Sequence, residues 1–372
     1  MKTIGGAYQN AIKIEELESI RGLAALLIVF HHIPKWNPIL DTKIINNGYL
    51  MVELFFVLSG FVIFSAYANK IGDKRDLLRF QFLRFGRLYP VHLLFLFIFI
   101  FIELAKYFSQ LKLGFISNTP AFRENNLTAI VEQIFLIQSI GPTGNDVTFN
   151  GPAWSISVEF YTYFIFGLIV LLLGRAKNIL FTLLATTSLL MLMTHLTFGF
   201  DDFLRCIAGF FVGCLTANVT KHIKKTLSNC IPLAALSAII CFLQFKTSKD
   251  FDLLIYFLTA ALIASLVLSQ QSLLKKILLL KPLTWLGAIS YSVYMSHSAI
   301  LVALHQVMRF ILKRPLIMGA DGKSIPQLSQ SETIIVWTLI TMIILIVSEL
   351  VYNFIELPIR KKSRSFAFSR LS

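Results

Sequence analysis

Ten apolar runs, most close to twenty residues long, dominate this chain. They fall at 18–34, 48–68, 88–108, 154–174, 178–198, 201–220, 230–246, 251–270, 284–312 and 332–357. A helix rises about 1.5 Å per residue, so about 20 apolar residues cross a hydrocarbon core of about 30 Å. Water-soluble chains average about 45–50% apolar and about 25% charged residues, whereas this one is 56% hydrophobic and 15% charged. The expectation is an all-α integral membrane protein, a polytopic bundle of about ten transmembrane helices in a single domain over 1–372. A further stretch, 126–140, carries Glu132, Gln133 and Gln138 and is read as interfacial or re-entrant.

The formal net charge is +14, from 34 Lys and Arg against 20 Asp and Glu. With the N-terminus inside, 22 of the 34 basic residues fall on inside segments, among them Lys2, Lys13, Lys70 to Arg87, Arg175, Lys177, Lys221, Lys275, Lys281 and Arg360. That retention predicts both termini in the cytoplasm, 1–17 being a cytoplasmic N-terminal segment and 358–372 a basic cytoplasmic tail. It also accounts for the charge without nucleic acid. Cys206, Cys214, Cys230 and Cys241 lie in or beside apolar runs without C-x-x-C spacing and read as small buried hydrophobes, and no metal site is expected. The polar N-terminal stretch lacks the pattern of a cleaved signal peptide. The outside loops near 109–153 and 313–331 are the longest and most polar, a place for an extracytoplasmic substrate. The absence of an internal repeat argues against the inverted-repeat design of many transporters.

An ionisable group at bilayer depth costs about 2.5–3.5 kcal/mol on insertion scales, so each one raises a functional question. In RGLAALLIVFHH, Arg21 and His32 lie eleven positions apart, which returns to within roughly 20° of the same direction about 16 Å along a helix. Both would look into one channel, with His31 pointing about 100° away. The alternative is an Arg21 that snorkels to the inner edge beside interfacial histidines. Arg84 and Arg87, at i and i+3, share a face that either holds phosphates or is ordinary inside charge. Ser155, Glu159 and Tyr163, at i, i+4 and i+8 with Trp154 adjacent, form a polar face. Its carboxylate orients a histidine, binds acceptor hydroxyls or makes a structural contact. Tyr291, Tyr294 and His297 project within about 120° of arc and face the bundle interior, for a site or for helix-to-helix hydrogen bonding.

These segments together resemble the acyltransferase-3 family of integral membrane O-acyltransferases. The resemblance rests on LESIRGLAALLIVFHH, VELFFVLSGFVIF, RFGRLYP, PAWSISVEFYTY, ISYSVYMSH and NFIELPIRK, in that order along most of the chain. It implies that His32 acts as base, with Arg21 and Glu159 shaping the catalytic site, and that Arg84 and Arg87 bind acyl-CoA at the cytoplasmic face. Trp154, Ser155 and Glu159 correspond to the family's Trp-Ser and Glu, while Ser59 and Gly60 match its S-G-F turn. Ser59, Trp154, Ser155, Tyr163, Tyr291, Tyr294 and His297 are the expected pocket. Met51 stands where the family usually has glycine, which bears on packing near Ser59. The membrane module would stand alone, without the esterase-like domain of some members.

The resemblance therefore implies a multi-pass protein of the bacterial inner membrane that acetylates an envelope or surface glycan, such as O-antigen, exopolysaccharide or a lipid-linked sugar. Acetyl-CoA would be a co-substrate, with no bound cofactor. Its partners would be acyl-CoA, a carbohydrate acceptor and membrane lipids. The competing expectation is a transporter or flippase that uses the same buried His and Glu as a proton relay.

Overall fold

The computed structural model describes residues 14–113, 119–142, 144–318 and 324–370; Lys2 and Lys13, which entered the charge argument, lie outside them. Each of the ten apolar runs is helical. In chain order the described helices are α1 (Glu15–His32), the short α2 (Lys43–Asn46), α3 (Met51–Tyr67), α4 (Lys74–Leu113), α5 (Leu127–Phe135), α6 (Trp154–Leu173) and α7 (Lys177–Met193). They continue with α8 (Asp201–His222), α9 (Ile231–Phe245), α10 (Leu254–Leu268), α11 (Leu273–Leu278), α12 (Lys281–Gln306), α13 (Gln330–Val351) and α14 (Leu357–Arg370).

Seven helical segments among the described residues are long and apolar enough to cross a membrane. The difference from ten runs has local causes. The 18 residues of α1 include Glu15, Glu16, Glu18 and Arg21. The 15 residues of α9 reach only about 22 Å, and α6 and α7 join into one segment, Gly151–Met193, across a break at Gly174. The outward faces are apolar, with Phe101 71% and Phe354 76% exposed, as expected of a multi-pass helical membrane protein. The nine residues of α5 are too short to cross a bilayer. They tuck in by polar contacts, Gln133 Nε2 donating to the Thr148 carbonyl (2.9 Å) and pairing its own carbonyl with the His92 ring.

One small departure from an all-helical fold lies in the 313–331 loop, where β1 (Leu316–Met318) pairs antiparallel with β2 (Ser324–Pro326). Cys206 and Cys214 are buried as expected, but Cys230 and Cys241 are exposed. Both belong to α9 or its N-terminal edge, on a face that no described residue covers.

The turns rich in Lys and Arg collect at one end of the bundle. There Ser19 Oγ donates to the Leu278 carbonyl (2.6 Å), Lys177 Nζ donates to that of Ala68 (2.6 Å), and Ser363 of α14 sits against Gly86 of α4. The other end gathers the polar loops, through Asn47 Nδ2 to the Leu243 carbonyl (2.8 Å), Tyr49 to Asp252 (2.8 Å) and Asn150 Nδ2 to the Met295 carbonyl (3.0 Å).

In lipid, helices associate chiefly by close packing and hydrogen bonds, because the tails are as apolar as leucine. Two glycine seams supply that approach here. A Cβ on Gly60 would fall on the Phe210 carbonyl and one on Gly213 on that of Val57, locking α3 to α8. A Cβ on Gly22 would lie 2.7 Å from the Gly287 nitrogen, so α1 and α12 touch backbone to backbone. Gly22→Val is expected to cost about 1–3 kcal/mol by overpacking, read as a lower thermal unfolding midpoint of the purified protein in detergent. An unchanged midpoint would mean that the two helices do not touch there.

Candidate active site

A cavity opens between α1, α3, α4, α6 and α12, with about 840 Å³ of atom-free space, its mouth included. Leu17, Val52, Phe55, Phe56, Leu58, Ile63 and Leu88 give it an apolar wall, into which Arg21, Ser59, Arg87, Ser155, Glu159, Tyr163, Ser290, Tyr291 and Tyr294 bring polar groups. A second chamber of about 510 Å³ is lined by Glu15, Glu18, Arg21, Arg87, Thr284, Ala288, Tyr352 and Arg360. Glu18, Arg21 and Arg87 border both spaces. They form a charged neck between a polar chamber near the basic end and an apolar cavity deeper in the bundle.

At that neck Arg21 is held from two helices. Its Nε donates to Ser290 Oγ (2.8 Å), and one Nη donates to Glu18 (2.5 Å) and to the Gly287 carbonyl (3.2 Å). Arg87 differs: among the described residues none hydrogen-bonds its guanidinium, although Glu18, Glu159 and Glu356 lie close enough to act on it electrostatically. Arg84 does not line either space. Its guanidinium packs over the rings of Tyr67 (5.4 Å), Phe80 (5.9 Å) and Tyr163 (5.9 Å) and donates to Tyr67 Oη (3.3 Å). Residues at i and i+3 differ by about 60° around a helix, enough here to send one arginine to the aromatic wedge and the other to the neck.

Glu159 accepts from Ser59 Oγ (2.6 Å) and from the Tyr163 hydroxyl, and Ser59 and Tyr163 lie 2.8 Å apart. The carboxylate expected on this α6 face is thus satisfied by two hydroxyls on the cavity wall. Ser59 is within helix α3 and not in a turn; Gly60 serves the α3–α8 approach described above. Ser155 Oγ meets the Tyr294 hydroxyl at 2.9 Å, and both reach the Pro152 carbonyl. Tyr291 donates to the Leu88 carbonyl of α4 (2.5 Å). Trp154 is turned away from the cavity: the Arg205 guanidinium lies 4.5 Å over its ring while bonding Glu53 (2.8 Å) and Asp202 (2.8 Å).

His32 stands beyond the cavity, at the polar-loop end of α1, exposed and with its ring 5.0 Å from that of His297. About 16 Å of helix separates it from Arg21, and Tyr294 and His297 fill the interval. His297 is fully buried and 6.0 Å from the Tyr294 ring. His31 is turned aside, Nδ1 at 3.1 Å from the Ile45 carbonyl.

Residues 14–353 match the acyltransferase domain family, Acyl_transf_3. The chain belongs to this family. It is 28% identical over 389 residues to the O-acetyltransferase OatA of Staphylococcus aureus (strain NCTC 8325), covering 95% of this chain and 58% of that protein. It is 26% identical over 396 residues to YrhL of Bacillus subtilis (strain 168), named provisionally as a peptidoglycan O-acetyltransferase, covering 95% and 56%. The acyltransferase MdmB of Streptomyces mycarofaciens is 29% identical over 170 residues, 43% of this chain and 40% of its own. The chain therefore spans a little over half the length of its first two relatives. No solved structure matches it.

Within this acyltransferase-family bundle, several site residues escaped sequence reasoning: Glu18, Ser290, Tyr352, Glu356 and Arg360. The fragment NFIELPIRK held the last two at i and i+4. A π-turn over Tyr352–Glu356, a wide turn common at functional sites, places Glu356 where Ser292 Oγ donates to it (2.8 Å) with Arg360 at 3.9 Å. The Arg205–Glu53 pair is the other omission, and removing Arg205 leaves the buried Glu53 carboxylate without its partner. Arg205→Ala is expected to cost about 3–5 kcal/mol, read in the unfolding midpoint in detergent; a loss below about 1 kcal/mol would place the pair with weak surface bridges.

Proposed function

We propose that the chain is a membrane O-acyltransferase that moves acetyl from acetyl-CoA to a hydroxyl of an envelope or surface glycan. The observation that carries this reading is the neck: a guanidinium, Arg87, without a hydrogen-bond partner among the described residues, between a charged chamber and an apolar cavity. A CoA thioester has the matching form, with phosphates at one end, a long slender arm and a reactive carbonyl at the other. Arg87, with Arg21 and Arg360, binds phosphate oxygens in the chamber, where charge-assisted bonds are strongest. The arm lies along the apolar wall. Glu159, Ser59 and Tyr163 hold that wall in shape, and Arg84 braces Tyr163 from behind.

The acceptor enters from the polar-loop end, its class being O-antigen, exopolysaccharide, peptidoglycan or a lipid-linked sugar. His32 takes the proton of the acceptor hydroxyl as its oxygen attacks the thioester carbonyl. The C–S bond then breaks with its electron pair on sulfur, and the thiolate takes up a proton to leave as CoA. General-base assistance of this kind is worth about 10²–10⁴-fold in rate. In this reading the chain crosses a bacterial inner membrane ten times, with both termini and the basic end in the cytoplasm, where acetyl-CoA is made.

Three outcomes are expected in membranes carrying the full chain and supplied with labelled acetyl-CoA. His32→Ala lowers glycan acetylation at least about 10²-fold; a wild-type rate overturns the assignment. Arg87→Ala raises the KM for acetyl-CoA about tenfold or more without lowering the unfolding midpoint, as loss of a charged hydrogen bond predicts. Arg84→Ala does the reverse, lowering the midpoint more than it raises KM. Mass spectrometry of the glycans separates this reading from a carrier, since only an enzyme adds the mass of an acetyl group.

A further inference from the structure

The site holds a second imidazole that the mechanism above leaves unused. His297 is buried to 0% exposure, its Nδ1 lies 3.3 Å from the Val293 carbonyl, and its Nε2 has no hydrogen-bond partner among the described residues. His32 repeats the pattern, its Nδ1 2.9 Å from the Ile28 carbonyl. A carbonyl oxygen only accepts, so in each neutral ring Nδ1 carries the hydrogen and Nε2 the lone pair. Two such rings lie 5.0 Å apart, one exposed and one buried. An unpaired buried acceptor is unfavourable by about 1–3 kcal/mol, and in a packed helix it calls for an explanation.

From this arrangement we infer that His297 is the second half of a proton-holding dyad. The inference rests on the acyl-transfer reading and deepens it. His32, on the exposed side, breaks the O–H bond of the acceptor and takes its proton on Nε2. His297, on the side of the cavity-lining Tyr294, then shares or receives that proton, so the positive charge does not stay where the acceptor leaves. The proton is given up to the CoA thiolate when the C–S bond has broken, and both rings return to their neutral form. No other reactant enters. The groups around the pair are His31, 5.2 Å from His32, Lys35 beyond the end of α1, which acts on His32 electrostatically, Tyr294 on α12, and the Ser296–Ser348 contact to α13 (3.0 Å). None of these is an anion, and the unpaired Nε2 of His297 offers a proton acceptor on a ring centred 5.0 Å from that of His32.

The test measures initial rates of glycan acetylation from labelled acetyl-CoA in membranes carrying the full chain. His297→Gln can hydrogen-bond at the Nε2 position but cannot take a proton. Its maximal rate should drop by about 10²-fold, and its KM for acetyl-CoA should change by no more than about twofold. His297→Asn, which keeps a donor for the Val293 carbonyl, should be equally slow with an unfolding midpoint near that of the wild type. A near-normal maximal rate in His297→Gln, or a rise in KM that accounts for the loss, overturns the dyad while leaving the acyl-transfer reading intact so long as His32→Ala is inactive. A wild-type rate in His32→Ala overturns both.

Discussion

The backbone contact between α1 and α12 at Gly22 and Gly287 sets the geometry on which the site depends. The two helices run in the same direction, so the one seam brings Arg21 to Ser290 at one level and His32 to His297 at another. A methyl group at either glycine would force the axes apart and loosen both pairs together. Lipid offers no hydrophobic drive to compensate, because leaving a neighbouring helix for the tails exposes nothing to water.

Around that seam, charge is handled in two ways. Most ionisable groups within the bundle are satisfied by the protein: Glu159 by Ser59 and Tyr163, Glu53 by Arg205, and Glu356 by Ser292 with Arg360 nearby. These pairings remove the desolvation cost that would otherwise expel a charge from the membrane. Buried polar atoms without a hydrogen-bond partner occur at several places among the described residues, His92 Nδ1 and Gln138 Oε1 among them. The Arg87 guanidinium and the His297 Nε2 are two unpaired groups that lie along the line from the charged chamber to the exposed imidazole, and the functional reading rests on that position.

Arg84 and Arg87 show where sequence periodicity stops. The three-residue spacing correctly placed both on nearby faces of α4, yet about 60° of rotation put one against Tyr67, Phe80 and Tyr163 and the other in the neck. Trp154 and Ser155 diverge in the same manner, the ring under Arg205 and the hydroxyl on Tyr294. The seam of Tyr291, Tyr294 and His297 was legible as inward-facing, but it meets three different neighbours, α4, the start of α6 and α1. Arg21 and His32 share a direction on α1 as their spacing requires, and still open onto different spaces.

Hydrophobic run length and the distribution of Lys and Arg belong to the chain itself, and they suffice for an all-helical, multi-pass architecture, for the basic end, and for the short α5 that does not cross. The order of six short fragments likewise marks the family without coordinates. What tertiary structure alone decided is partnership: that Glu159 is satisfied by a serine a hundred residues earlier, that Arg87 has no hydrogen-bond partner among the described residues, and that His32 faces His297. Each of these depends on the axial offset and rotation of one helix against another. Those are settled by glycine contacts and packing among residues far apart in sequence, and no local periodicity encodes them.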